Sequence, residues 1–395
     1  MRVLLLSWDY PPRSSGGVAA HVAGLAGALN AGGHDVVVLT VGSARTRPPA
    51  DRERVVRAVV DLPYLSTTDV VARTAAGNHA LVRAATGVTT DDGAAWQPDI
   101  VHAHDWRVGW AADTIARQAG VPFLLSLHGI ERMRHGGRLP RGTATDVDSI
   151  EWWLAFEADH VIASTQLMVD QLMSAFELSP DRISTIPYGI DAALWAPEGP
   201  RASAPIEREP LVMSWGSVQY QKGFQVLVRA MRQLRGTHPD LRAVIAGRGR
   251  YLPELQTQID VDGVSNIIEL PGYLDDRRLR SLVHRSACVV VPSLYEPFGI
   301  VALEALAAGA PLIVAHTGGL AELVDGTDAG ISFEPGNPDD LARQIAAVLE
   351  SPALATALRT AAAKLIAERH AWPDVAAATS ALYHRVIGNV IGGTD

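Results

Sequence analysis

The sequence contains a single cysteine, Cys288, inside the apolar run ACVVVP. A lone thiol has no internal partner, so a disulfide framework is excluded and a reducing compartment is expected. Basic residues are also in short supply. The 34 Lys and Arg against 43 Asp and Glu give a net charge of −9. That balance argues against a nucleic-acid partner or an anionic membrane held by bulk electrostatics, although a local basic pocket stays open. No run of about 18 apolar residues occurs, so no membrane span and no strong membrane association are expected. The opening MRVLLLSWDYPP has too short an apolar stretch for a signal peptide and meets Trp8 and Asp9 at once, so it reads as a first strand of a cytoplasmic protein. The Gly-x-Gly-x-x-Gly fingerprint of dinucleotide sites is missing: SSGG at 14–17 and GRGR at 247–250 both stop short of it.

What the chain does contain is a repeated pattern. VLLLSW, VVVLTV, DIVHAH, PFLLSL and HVIAS, then LVMSWG, RAVIAG, NIIEL, CVVVP and PLIVA, are short apolar runs rich in β-branched residues with helical segments between them. Such runs suit strands buried on both faces, and strand–helix alternation indicates parallel sheets covered by helices. With 395 residues, two domains are the natural expectation. The alternation breaks at WAPEGPRASAPIEREP, 195–210, which has no periodicity and several prolines. We therefore expect an α/β domain over 1–195, a second over 205–370, and a final helical segment at 371–395 returning to the first domain. In open parallel sheets, ligands bind beyond the carboxyl ends of strands. The unusual residues of this sequence fall there, and two such rims facing one another would make a deep cleft.

One stretch concentrates the chemistry. In PSLYEPFGIVALEALAAG, Glu296 and Glu304 lie eight positions apart on either side of Pro297-Phe298-Gly299. Pro297 and Gly299 disfavour a helix before residue 298, whereas IVALEALAAG is a good helix ending at Gly309. Amides from Phe298, Gly299, Ile300 and Val301 would then lack intrahelical partners and favour a phosphate. A ribose would lie alongside Glu304, and Glu296 would face the group beyond the phosphate. Gly16 and Gly17 at the start of the first helix allow close backbone approach to a phosphate or simply form a tight turn. Lys222 follows a strand end as a long cation. His102 and His104 alternate along a strand, but without an evident third ligand no metal is expected.

In order and spacing, WDYPP, VHAHDW, HG, PYGID, KGF, AGRG, PGYL, PSLYEPFGIVALEALAAG and TGGLAELV resemble the retaining glycosyltransferases of family 4 and the bacterial glycogen synthases, across essentially the whole chain. The resemblance implies a GT-B fold, two facing Rossmann-like domains that close on binding, and transfer of a hexose from a nucleotide-sugar donor, UDP-glucose or ADP-glucose, with anomeric configuration kept. It implies that Glu296 contacts the donor sugar, Glu304 accepts from the ribose hydroxyls and Lys222 neutralises the diphosphate. His128 would lie at the transfer site, with Asp105 and Trp106 on the acceptor side, the indole face stacking on a sugar. Gly247, Arg248 and Tyr273, in AGRGR and PGYL, would surround the base. The arginine that such enzymes carry five positions before the lysine is Ser217 here, with Arg13, Arg248 and Arg250 as substitutes. Two Asp-x-Asp strings, Asp146–Asp148 and Asp260–Asp262, resemble the metal motif of other glycosyltransferases, but neither follows an apolar strand, so no cofactor is expected. A carbohydrate acceptor such as an α-glucan leads; a small-metabolite acceptor, a sugar-nucleotide epimerase and a non-catalytic nucleotide-sugar binder are the rival readings.

Overall fold

The computed structural model describes residues 1–12, 17–42, 54–60, 68–197 and 208–392, the last three of these as backbone only. Gly16, Arg13 and most of the proline-rich stretch lie outside the described residues. The chain divides into two units. Met1–Gly189 and Trp372–Asp395 form the first, and Ile190–Ala371 the second. The boundary thus falls earlier than the expected 195: the helix Ala192–Trp195 belongs to the second unit, where Trp195 stacks on Trp215 at 6.2 Å between ring centroids.

The first unit is built on seven strands: β1 (Arg2–Ser7), β2 (Asp35–Gly42), β3 (Arg54–Val59), β4 (Ile100–His104), β5 (Phe123–Ser126), β6 (His160–Ala163) and β7 (Ile183–Thr185). They run in the order β3-β2-β1-β4-β5-β6-β7, all parallel. β1 shows why the run Val3–Leu6 is continuously apolar rather than alternating. Val3 and Leu5 enter a core with Val22, Leu25 and Leu29 of the helix Gly17–Ala31, whereas Leu4 and Leu6 enter another on the opposite face. Both faces are covered, so every position after Arg2 is buried. The helix Gly17–Ala31 ends where Gly33 adopts φ +86°.

The C-terminal helix, Trp372–Gly392, joins the first of these cores through Val375, Leu382, Tyr383 and Val386. Gly24 and Gly189 leave room for Trp372: a Cβ on Gly24 would lie 2.1 Å from the indole, and one on Gly189 2.5 Å. Tyr383 is fully buried.

The second unit has six strands: β8 (Glu209–Trp215), β9 (Arg242–Ala246), β10 (Ile268–Gly272), β11 (Ser286–Val291), β12 (Leu312–Ala315) and β13 (Ile331–Phe333). Their order is β10-β9-β8-β11-β12-β13, again all parallel. Both sheets reverse direction of winding once, between β1 and β4 and between β8 and β11, and it is outside such a reversal that open α/β sheets bind ligands. Cys288 lies buried in β11, where burial pushes its thiol up to about 12, so the thiolate is not available as a nucleophile. No helix among the described residues is long and apolar enough to cross a membrane.

Candidate active site

In the second unit, three loops meet outside the reversal between β8 and β11. The loop after β8 is held to that after β9 by Gly216 N–H donating to Ala246 O at 3.0 Å and Val218 N–H to Arg248 O at 2.9 Å. It is held to the loop after β11 by Leu294 N–H donating to Gln221 O at 2.8 Å. The approach is close enough to require glycine. Gly223 has φ +70°, and a Cβ there would lie 1.8 Å from Pro292 O; at Gly247, φ +146°, it would lie 1.8 Å from Gly216 O.

This framework brings Lys222 and Glu296 together. Lys222 Nζ lies 2.6 Å from Glu296 Oε2, and Ser293 Oγ donates to the same oxygen at 3.1 Å. Glu296 Oε1 has no protein partner among the described residues. Three residues later Gly299, at φ +102°, turns the chain into the helix Ile300–Ala307, which no side chain caps at its N-terminus. Phe298 is buried, its ring edge-on to His370 at 6.1 Å. The start of the next helix, Gly318–Val324, presses on this turn: Gly319 N–H donates to Glu296 O at 2.9 Å, and a Cβ on Gly319 would lie 2.5 Å from Phe298 Cα.

Glu304 sits in the second turn of Ile300–Ala307 and accepts from Trp215 Nε1–H at 3.0 Å. Burial pushes its carboxyl up to about 7; the Trp215 hydrogen bond opposes this and the nearby Asp276 adds to it. Ser217 is exposed and carries no cation to replace. Of the substitutes, Arg248 and Arg250 are exposed, and the Arg248 guanidinium lies 5.6 Å over the ring of Tyr273, itself exposed just beyond β10.

The first unit places a different chemistry outside its own reversal. His104 ends β4, and Asp105 follows in a strained conformation, φ +75° and ψ 163°, that costs a non-glycine residue about 1–3 kcal/mol. Its amide donates to Ser126 O at 2.8 Å and its carboxylate accepts from Trp106 N–H at 3.1 Å. Burial raises the Asp105 pKa, opposed by Arg134, the Trp106 amide and Arg107. Beneath it Glu151 is pushed up to about 9, by burial first and by Asp105 next. Both carboxyls therefore hold a proton more tightly than a free carboxyl does. Trp106 does not meet the expectation of an open stacking face. It is 8% exposed and belongs to the hydrophobic core, with Arg107 over its ring, because the short turn after Asp105 folds the indole inward.

Four histidines gather behind this rim. His102 Nδ1 meets the Tyr383 hydroxyl at 2.7 Å and its Nε2 meets Ser126 Oγ at 2.8 Å. His104 Nδ1 lies 3.2 Å from His128 Nε2, and His128 Nδ1 meets the Tyr188 hydroxyl. His21, from the helix that Gly17 begins, stacks on Tyr188 at 4.3 Å. Their rings serve one another and the surrounding hydroxyls, and no group of three His, Cys, Asp or Glu among the described residues is arranged to hold a metal ion. The Asp-x-Asp strings are engaged elsewhere: Asp148 in a two-bond pair with Arg132, Asp262 in an ion pair with Arg232.

Sequence reasoning did not single out Trp215, Ser293, Glu151, His21 or Tyr188. Trp215 carries a usable signal, being a polar-tipped aromatic at a strand's carboxyl end.

Comparison with known proteins bears on both units. Residues 15–194 match the family model described as Glycosyltransferase Family 4, and residues 197–365 the one described as Glycosyl transferases group 1. A glycogen synthase of Mycobacterium tuberculosis is 38% identical over 97% of this chain and 94% of its own length. Among solved structures, sucrose-phosphate synthase from Thermosynechococcus elongatus superposes with a TM-score of 0.80 at 22% identity, covering 98% of this chain and 99% of that one. Anabaena Alr3699/HepE, solved with UDP-glucose, does so with a TM-score of 0.77 at 21% identity, covering 98% and 100%. Two parallel-sheet units with these structural neighbours make the fold GT-B. The chain belongs to the family 4, group 1 glycosyltransferases and is a glycogen synthase-like transferase.

Proposed function

We propose that the protein transfers glucose, with retention of configuration, from a nucleotide-diphosphate glucose to the end of an α-glucan. The observation that carries this reading is the Lys222–Glu296 pair, 2.6 Å apart, at the foot of an uncapped helix that holds Glu304 one turn further on. The donor diphosphate would rest on the first amides of Ile300–Ala307 and draw Lys222 from Glu296, so that one cation serves a carboxylate in the free enzyme and the leaving phosphate in the complex. Glu304 would accept from the ribose hydroxyls, and the base would lie against Tyr273 and Arg248. Glu296, released from Lys222 but still held by Ser293, would take the donor sugar's hydroxyls.

The chemical step then asks for little covalent help. As the glycosidic bond breaks, negative charge grows on the departing phosphate, and fixed amides with Lys222 favour that charge without reorganising. The departing phosphate oxygen takes the proton of the acceptor hydroxyl, which attacks from the same face and so keeps the configuration. His128 would address the transferred sugar, and Asp105 the acceptor. Similarity to a glycogen synthase supports glucose as the sugar and a glucan as the acceptor.

The test is a donor panel of UDP-glucose and ADP-glucose with and without a maltooligosaccharide, read by proton NMR. The expected product is a lengthened oligosaccharide with a new α-linkage. A β-linked product, an epimerised donor or a product formed only with a small-molecule acceptor would each overturn part of the reading.

A further inference from the structure

His128 follows β5 and is engaged on both edges of its ring. Nδ1 meets the Tyr188 hydroxyl and Nε2 meets His104 Nδ1 at 3.2 Å. An imidazole held at both nitrogens cannot turn without breaking two hydrogen bonds, so its orientation is set by its partners rather than by the sugar it meets. We propose that Tyr188 is a positioning residue for the transfer reaction, holding the His128 imidazole in one orientation and one tautomer. This rests on the reading of His128 given above.

Tyr188 is itself immobilised. Its ring is buried and stacks on His21 with centroids 4.3 Å apart and planes 30° apart. The next residue, Gly189, lies so close to Trp372 that a Cβ would sit 2.5 Å from the indole, which fixes the backbone carrying the phenol. On the other side, His104 lies parallel to His128 at 5.4 Å and 9° and is backed by His102 at 4.2 Å.

A neutral imidazole has one donor and one acceptor, so the three groups Tyr188, His128 and His104 share a single choice of proton direction. Either Tyr188 donates to His128 and His128 donates to His104, or both bonds run the other way. His104 Nε2 is buried with no partner among the described residues, so that end of the chain imposes no direction. A phenol hydroxyl donates more readily than it accepts, so the Tyr188 end favours one direction, its O–H donating to His128 Nδ1.

The variant Tyr188→Phe keeps the ring stack and removes only the hydroxyl. Nitrogen-15 NMR of ring-labelled histidine should show one tautomer at His128 in the native protein and a mixture in Y188F. With the donor panel above, kcat should fall roughly tenfold, the scale of one hydrogen bond lost in the transition state, while KM for the donor changes less than about twofold. The variant His104→Ala, which removes the partner that imposes no direction, should leave His128 in the single tautomer of the native protein. Mixed tautomers in the native protein, or an unchanged His128 spectrum in Y188F that melts normally, would overturn the proposal. If the native protein transfers sugar from no donor, the functional reading fails, and the tautomer measurement alone decides the role of Tyr188.

Discussion

At the scale of single residues, Glu304 and Lys222 carry the most testable chemistry. With its carboxyl pushed up to about 7 from an ordinary 4.5, Glu304 keeps a proton in the folded protein that the unfolded chain has given up. Its contribution to stability is therefore full below about pH 4.5 and is lost as pH rises through 7. Ligand binding follows the opposite sense. A ribose hydroxyl donates best to the ionised form, so KM for the donor should rise as pH falls below 7, approaching roughly tenfold per unit, and Glu304→Gln should flatten that dependence. A donor KM independent of pH in the native enzyme would remove Glu304 from ribose binding. Lys222→Ala should lower kcat/KM by about 10²–10³, the usual cost of deleting a group that stabilises transition-state charge. Lys222→Arg should not restore full activity, because a planar guanidinium does not take the place of a compact ammonium beside Glu296.

At the scale of elements, the site depends on loops that approach within glycine distance. In Gly223→Ala a Cβ would meet Pro292 O at 1.8 Å in a backbone at φ +70°. The loops after β8 and β11 would separate, with a loss of about 2 kcal/mol or more in urea unfolding and a larger loss of transfer activity. Gly236→Ala, where nothing lies within 4 Å, should leave both unchanged and serves as the control. The same scale shows what could be read from sequence. Ten apolar runs stood out because all their strands but the edge strand β10 are buried over most of their length. β3 escaped notice because Arg54 and Arg57 interrupt it at the sheet edge, and β7 and β13 because three residues hold no pattern. Lys222, Glu296 and Glu304 were legible because loop chemistry and helix signals surround them. Trp215 and Tyr188 were not, and Trp106 misled in the opposite direction. An aromatic beside an apolar run could serve a core or a site, and only the turn of the chain that follows decides where its ring points.

At the scale of the whole molecule, the two units should respond differently to acid. Burial lowers the pKa of His21, His102, His104 and His128 in the first unit; neighbouring histidines add to this for His21, His102 and His104, and Arg134 for His128. His102 and His128 fall to about 3. Groups so depressed bind protons in the unfolded chain before the folded one, so the stability they leave intact above pH 6.5 is lost as pH falls from there toward 3. Limited proteolysis near pH 4.5 should cut within 1–189 while fragments of 190–371 persist; equal resistance of both units would contradict this.

The return of Trp372–Gly392 to the first core has a consequence for synthesis. The second unit is an insertion whose chain enters and leaves at neighbouring points, Ile190 N–H donating to His370 O at 2.9 Å. During translation the second unit is complete before the final helix has left the ribosome. The half of the protein that emerges first is therefore the last to close its interior, and until Tyr383 arrives, His102 waits with one nitrogen bare.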